Sequence, residues 1–163
     1  MLKLGKLTDY ATLVMTELAV TPRATSSAHE LAERTRIGAP TVAKLLRKLS
    51  QAGLVEAARG VHGGYRLSRD AASITVADIV VAVEGLVALT ECAGSHSCCS
   101  IESHCGVRSN WRLINTAIQQ ALESVTLAQM ATGARRSNQP EQATIEMQLH
   151  RISPTAPEYR TTR

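Results

Sequence analysis

The sequence contains no phenylalanine, and aromatic residues make up only 2% of its 163 residues. The core must therefore be built from aliphatic side chains, within a chain that is 44% hydrophobic. The scarcity of rings disfavours a protein that binds single-stranded nucleic acid by stacking bases on aromatic side chains. No apolar run approaches the roughly 20 residues that span a bilayer, and the polar amino terminus does not resemble a secretory signal. These absences predict a cytoplasmic protein without a membrane segment.

Charge is distributed unevenly along the chain, although the net value is only +4. Residues 1–69 carry a net charge of +6, residues 70–133 a net charge of −4, and residues 134–163 a net charge of +2. A basic first part is typical of a protein that binds a polyanion such as DNA. The same charges would also fit a surface that only keeps the protein in solution.

Hydrophobic periodicity in residues 1–70 predicts three helices followed by a β-hairpin. The second and third helices are predicted at Ala28–Thr35 and Thr41–Gln51, with a tight turn at Gly38 between them. Two short strands joined by a glycine-rich turn follow the third helix. This order of elements is that of a winged helix-turn-helix, so residues 1–70 are predicted to be a DNA-binding domain.

The third predicted helix has one apolar face and one polar, largely basic face. A recognition helix needs both, because it is anchored by one face and offers hydrogen-bond donors to the major groove from the other. The Gly-rich turn of the hairpin would form a thin wing that enters a minor groove or follows phosphates. The alternative is a solvated basic helix in a small helical protein. The predicted DNA-binding residues are Thr41, Lys44, Arg47 and Lys48 on the helix and Arg59 and His62 on the wing.

Residues 71–133 are predicted to hold a helix at Val76–Glu84, a cysteine-rich loop, and one long helix over Gly106–Met130. The long helix carries a heptad-like apolar seam on an otherwise polar surface. Residues 134–163 are polar and lack sustained periodicity, so they are predicted to be disordered. The residues of the seam are Trp111, Ile114, Ile118, Ala121 and Val125.

All four cysteines fall within the short segment Cys92–Cys105, which argues against disulfides that staple distant elements. Their spacings of five or six residues differ from the short C-x2-C knuckle of structural zinc sites. Wide spacing suits thiolates that wrap an iron–sulfur cluster. A zinc site completed by His96 or His104 fits the residue types equally well, and a set of redox-active thiols without metal is the third interpretation.

Several of these segments together resemble the Rrf-type winged-helix regulators, the family that includes IscR and NsrR. The matching segments are Leu7–Ala11, Leu31–Arg34, the wing at Arg59–Leu67, the cysteine loop and Trp111. The resemblance covers the chain from its start to about residue 130. The sequences around Cys92 and Cys105 are most similar to the subgroup that regulates the SUF system of iron–sulfur assembly.

The resemblance implies a mainly α fold with a small β-hairpin wing, a winged helix-turn-helix domain followed by a long C-terminal dimerisation helix. It implies a homodimer that binds a palindromic operator in double-stranded DNA, and an iron–sulfur cluster held by Cys92, Cys99 and Cys105 in each protomer. A 2Fe–2S cluster is preferred over a 4Fe–4S cluster. The additional Cys98 could replace Cys99 as a ligand.

The fourth ligand is assigned through the same resemblance. IscR-like proteins use a histidine three residues after the last cysteine, and this chain has Arg108 there, which stays protonated and cannot ligate. NsrR-like proteins use an aspartate of the partner protomer, and Asp9 matches it. His96 and His104 are the other candidates. Asp9 also lies in the first turn of a predicted helix. A carboxylate there interacts favourably with the helix dipole, so Asp9 has a structural role even if it binds no iron.

These observations predict a transcriptional repressor that senses iron–sulfur status and controls SUF-type genes. One alternative is a thiol-based or nitric-oxide-responsive regulator without a stable cluster. Another is an iron–sulfur carrier or assembly partner whose basic face docks an acidic protein. An enzyme is not expected, because the sequence has neither a phosphate-binding loop nor a nucleophile–base motif.

Overall fold

The structure is a computed structural model. Six α-helices and one β-hairpin make up most of the residues that it describes. The described residues are 4–21, 24–60, 63–85, 90 and 105–137, without the side chains of 135–137. Among them, no helix is long and apolar enough to cross a membrane. In chain order the elements are α1 Lys6–Val20, α2 Ala28–Thr35, α3 Ala39–Gln51, β1 Val55–Ala58, β2 Gly64–Leu67, a short 3-10 helix Ala71–Ser73, α4 Val76–Glu84, α5 Arg108–Glu123 and α6 Leu127–Ser137.

The helix-turn-helix forms as its sequence predicts. Ser27 caps α2 by accepting the Glu30 backbone N–H at 3.1 Å, and the Glu30 carboxylate accepts the Ser27 N–H at 2.7 Å, a complete capping box. Arg36 ends α2 in the left-handed conformation (φ 57°), and α3 begins after Gly38 with Pro40 in its first turn. The apolar face of α3 is fully buried and anchors the helix, through Val42, Leu45, Leu46 and Leu49.

The wing is a two-stranded antiparallel hairpin, and Ser26 forms a single-residue bridge beside it. Val55 pairs with Leu67 at its base and Ala58 with Gly64 at its far end. Ser26 extends the sheet, because its N–H and C=O each bond the Tyr65 backbone, at 2.9 and 2.8 Å. Arg34 of the second helix donates to the Ser26 hydroxyl at 2.8 Å, so the wing is fixed to the helix-turn-helix.

Gly64→Ala is expected to lower the free energy of unfolding by about 1–3 kcal/mol, the usual cost of overpacking a close contact. A Cβ on Gly64 would lie 2.8 Å from the Ser26 backbone, and backbone cannot move aside as a flexible side chain can. Thermal and urea denaturation followed by circular dichroism measure the effect. Gly38→Ala is the matched control, since its Cβ would meet nothing closer than 4.0 Å. Equal stability of the two variants would contradict the strand pairing at Ser26.

The long helix predicted over Gly106–Met130 is two helices, because the chain breaks between α5 and α6. The Val76 N–H bonds the Val125 carbonyl at 2.9 Å, and the Leu127 N–H bonds the Ile74 carbonyl at 2.8 Å. These hydrogen bonds fix the residues between α5 and α6 beside the start of α4. As a result α6 packs against α1, and Leu127 is fully buried. The heptad pattern could not reveal this break, since both segments are helical and their apolar residues continue at helical spacing.

The C-terminal boundary also differs in part from the prediction. Helix α6 continues to Ser137, four residues into the segment 134–163 that was predicted to be disordered. Residues 138–163 lie outside the described residues. The division of the chain at residue 70 stays a prediction, and in the structure α6 packs against the same core as α1.

Candidate DNA interface and cysteine site

The polar face of α3 brings three of the predicted DNA-binding residues together. Lys44 and Arg47 are exposed, and Thr41 lies half-buried in the first turn of the helix. Because the opposite face is fully buried, these side chains have a fixed base and point away from the core. The arrangement can offer a hydroxyl, an ammonium and a guanidinium to one groove of a duplex.

Lys48, the fourth predicted residue of this helix, is engaged inside the protein. Its Nζ donates to the Val83 carbonyl at 2.5 Å, near the end of α4, and the side chain is half-buried. A lysine at such a carbonyl satisfies a group that the last turn of a helix leaves without an intrahelical partner. The basic periodicity of α3 cannot distinguish this lysine from the exposed ones, since only the tertiary packing of α4 beside α3 separates them.

The tip of the wing carries Arg59, which is exposed. Gly60 turns the chain with φ 116°, and the Gly63 N–H bonds its carbonyl at 2.8 Å. A Cβ on Gly63 would lie 2.5 Å from the Ala58 carbonyl oxygen, so the tip is narrow because glycine is there. His62, the other predicted wing residue, lies outside the described residues.

Glu84 is a residue whose role the sequence did not indicate. One of its carboxylate oxygens accepts the Gly5 N–H at 2.7 Å and also accepts the Thr8 hydroxyl. These two hydrogen bonds hold the pKa of Glu84 below its ordinary value of 4.5, and the nearby charge of Lys48 acts in the same direction. Glu84 is therefore an anion at neutral pH that caps the amino-terminal end of α1, whose own N-cap residue, Gly5, has no side chain.

Cys105 is the cysteine that the structure describes. It is half-buried, is not in a disulfide, and starts the turn that leads into α5, with its carbonyl accepting the Arg108 N–H at 3.4 Å. Asp9 is exposed in the first turn of α1. Within the described part of the chain, no three His, Cys, Asp or Glu side chains are grouped to hold a metal ion. The other candidate ligands, Cys92, Cys98, Cys99, His96 and His104, lie outside the described residues.

Helix α5 leaves most of its predicted seam uncovered in the single chain. Trp111 and Ile114 of this helix keep 38% and 44% of their surface exposed, and Val125, which follows the helix, keeps 39%. Asn115 is the one buried residue of this helix, with 8% of its surface exposed. Trp111 and Ile114 therefore form an exposed apolar strip on α5.

Comparison with known proteins places the chain in a family. A family model described as "Rrf2: Iron-dependent Transcriptional regulator" matches residues 4–133. Protein rrf2 of Nitratidesulfovibrio vulgaris is 34% identical over 108 residues, which cover 66% of this chain and 72% of that protein. The residues matched by the family model include the helix-turn-helix and the wing.

Two solved structures share the fold. The structure of T. potens IscR matches with a TM-score of 0.66 and 29% identity, covering 87% of this chain and 94% of that one. The structure of CymR, the global cysteine regulator of B. subtilis, matches with a TM-score of 0.65 and 28% identity, covering 81% and 98%. These matches confirm the mainly α fold with its winged helix-turn-helix. The family match over residues 4–133 also confirms that the chain is a regulator rather than an enzyme: it belongs to the Rrf2 family of transcriptional regulators.

Proposed function

We propose that this protein is a homodimeric repressor whose affinity for a palindromic operator depends on an iron–sulfur cluster, and that it controls SUF-type assembly genes. The observation that carries the proposal is the position of Cys105. Cys105 starts the turn into α5, and α5 carries the uncovered apolar strip. The same chain presents basic side chains on α3. A cluster held there would lie between the DNA-binding unit and the dimer contact.

The donor set fits an iron–sulfur cluster. Cys92, Cys99 and Cys105 would supply three thiolates, and Asp9 of the partner protomer would supply an oxygen, with 2Fe–2S preferred to 4Fe–4S. Two observations support this set: Cys105 is half-buried rather than locked in a disulfide, and Asp9 is exposed where a second protomer can reach it. A bound cluster would supply a redox-sensitive and oxygen-sensitive link between its ligands.

On DNA, the proposed roles follow from exposure and residue type. Thr41 and Lys44 would read bases in the major groove, Arg47 would contact phosphate, and Arg59 with His62 would place the wing in the minor groove. Two such units in a dimer read half-sites about 34–36 Å apart, one helical turn of DNA. A cluster shifts this binding only if it favours one spacing of the two units over another.

Arg47→Ala is expected to weaken binding of every duplex to a similar extent and to reduce the slope of log affinity against log salt by about 1, as loss of one phosphate contact does. Lys44→Ala is expected to cost about 1–3 kcal/mol for the preferred sequence and little for random DNA. Fluorescence anisotropy at several salt concentrations, with a duplex selected from a random library, measures both. Arg112→Ala is the control, an exposed arginine on α5. If both Arg47→Ala and Lys44→Ala behaved like this control, α3 would not be the recognition helix.

The experiment that tests the whole proposal combines colour and DNA binding on one sample. Protein purified without oxygen is expected to be brown, to contain iron and sulfide, and to bind the selected duplex with an affinity that changes when the cluster is removed by a chelator. Colourless protein that gains neither iron nor sulfide on reconstitution would end the cluster proposal. Iron and sulfide without salt-dependent DNA binding would favour the carrier alternative.

A thiol-based regulator without a cluster is the second candidate, and the similarity to CymR favours it. That protein is described as a global cysteine regulator, and the structural match covers 81% of this chain. Colourless protein whose DNA affinity changes with reversible thiol oxidation would support this candidate. Cys98 and Cys99, which are adjacent in sequence, make such chemistry available to the chain.

A further inference from the structure

Three helices meet at the end of α4, immediately before the chain enters its cysteine-bearing segment. Glu84 is the last residue of α4, and Gly85 follows it with φ 92°. The first turn of α1 and the last turn of α3 both contact this end of α4 through hydrogen bonds. The meeting point therefore joins a candidate ligand turn, the recognition helix and the start of the segment that holds Cys92.

The contact with α1 depends on the Glu84 carboxylate. It accepts the Gly5 N–H and the Thr8 hydroxyl, across 79 and 76 residues of sequence. Gly5 cannot cap the helix with a side chain of its own, so Glu84 fixes where the first turn of α1 begins. Asp9 is the next residue after Thr8, and its position depends on that turn.

The contact with α3 depends on Lys48. Its Nζ bonds the Val83 carbonyl, and its positive charge lies close enough to Glu84 to favour the ionised carboxylate. Lys48 is therefore bound at its far end to α4, while Lys44 and Arg47 of the same helix stay exposed. A displacement of the end of α4 would act directly on the helix that carries the DNA-binding side chains.

We propose that Glu84 and Lys48 are positioning residues that couple the cysteine-bearing segment to the recognition helix and to the first turn of α1. The inference rests on the proposed function, because it explains how a change at the cysteines reaches DNA. Neither residue contacts DNA or a cluster in this proposal. Coupled equilibria of this kind commonly change affinity by about 5- to 150-fold.

The test compares two states of the full-length protein on the duplex selected from a random library. One state is the protein purified without oxygen, and the other is the same protein after chelation and alkylation of its cysteines with iodoacetamide. The wild type is expected to show an affinity ratio of at least about 5 between the states. Glu84→Ala and Lys48→Met are expected to bring this ratio close to one. Glu123→Ala, another exposed carboxylate of the acidic region, is the control and should keep the wild-type ratio.

A conservative variant separates positioning from general stability. Glu84→Gln retains an Oε1 acceptor for both donors of α1, and it is expected to keep most of the wild-type ratio. Thermal denaturation of each variant checks that the fold is intact, which the exposure of Glu84 leads us to expect. An unchanged ratio in folded Glu84→Ala would overturn the proposal. If Glu84→Gln also lost the affinity ratio, the hydrogen bonds that Glu84 accepts from α1 would not be what couples the two segments.

Hydrogen exchange distinguishes failure of the coupling from failure of the proposed function. In the wild type, alkylation of the cysteines is expected to speed or slow amide exchange in Lys6–Asp9 and Lys48–Gln51, and in Glu84→Ala this response is expected to disappear. The wild type could show an affinity ratio of one while its amide exchange still changes on alkylation. In that case the proposed sensing function fails, but the coupling between the cysteine-bearing segment and the helices stands. If exchange in both segments is indifferent to alkylation in the wild type, the coupling is wrong.

Discussion

Cys105→Ala is expected to abolish cluster binding, with iron and sulfide falling to less than about a tenth of the wild-type content in protein purified without oxygen. The reason is coordination: an iron that loses a thiolate is left with an open position, and alanine offers no donor atom to fill it. Visible absorption, iron analysis and sulfide analysis on the same samples measure the effect. The substitution is mild for the fold, since Cys105 is only half-buried and lies ahead of α5 rather than inside it.

Cys98→Ala is the matched control, because it removes a thiol from the same short segment without touching the proposed ligands. It is expected to keep its iron, whereas Cys99→Ala is expected to lose it. The opposite result for this pair would move the ligand from Cys99 to Cys98 and leave the cluster proposal intact. Full iron content in Cys105→Ala would contradict the ligand set itself.

The sequence was informative wherever a local rule governs the structure. The bounds of α2 and α4 follow from capping residues and apolar spacing, and both were predicted to the residue. The buried face of α3 follows from the same spacing. In each case the signal lies within one or two turns of the element, where propensity and capping act.

Features that depend on distant segments were not predictable in this way. The break between α5 and α6 is held by hydrogen bonds to Ile74 and Val76, about 50 residues earlier in the chain. The partner of Lys48 is 35 residues away, and the partners of Glu84 are more than 70 away. The spacing of residues in the sequence does not encode these pairings. All four polar residues on the face of α3 are therefore predicted to contact DNA, although Lys48 is hydrogen-bonded to α4.

The distribution of charge acquires a physical meaning from the fold. The basic first part supplies the exposed side chains of α3 and the wing, and a protein with such a face is steered toward DNA before any specific contact forms. The acidic middle part includes α4, whose charged residues are Asp78 and Glu84, and like charge there would repel a phosphate backbone. DNA is thereby directed to the exposed face of α3 and away from the acidic side chains of α4.

Trp111→Ala combined with Ile114→Glu is expected to convert the protein from a dimer to a monomer and to weaken binding of the palindromic duplex by about 100-fold or more. Both side chains belong to the exposed strip on α5, and a carboxylate introduced into a covered apolar contact would be buried without a partner. Two linked DNA-binding units gain their affinity because the second contact is intramolecular, and a monomer loses that gain. Light scattering after size exclusion and fluorescence anisotropy measure the two effects.

The control for this prediction is Thr116→Glu, which adds the same charge to the opposite side of the same helix. Thr116 is exposed, and its two-residue separation from Ile114 turns it by about 200° around the helix axis. This variant is expected to remain dimeric and to bind the duplex as the wild type does. A single half-site should bind wild type and monomeric variant with similar affinity, because only the linkage between the units is removed. A dimer that survives the combined substitution would assign the protomer contact to another surface, and the uncovered strip on α5 would then need a different explanation.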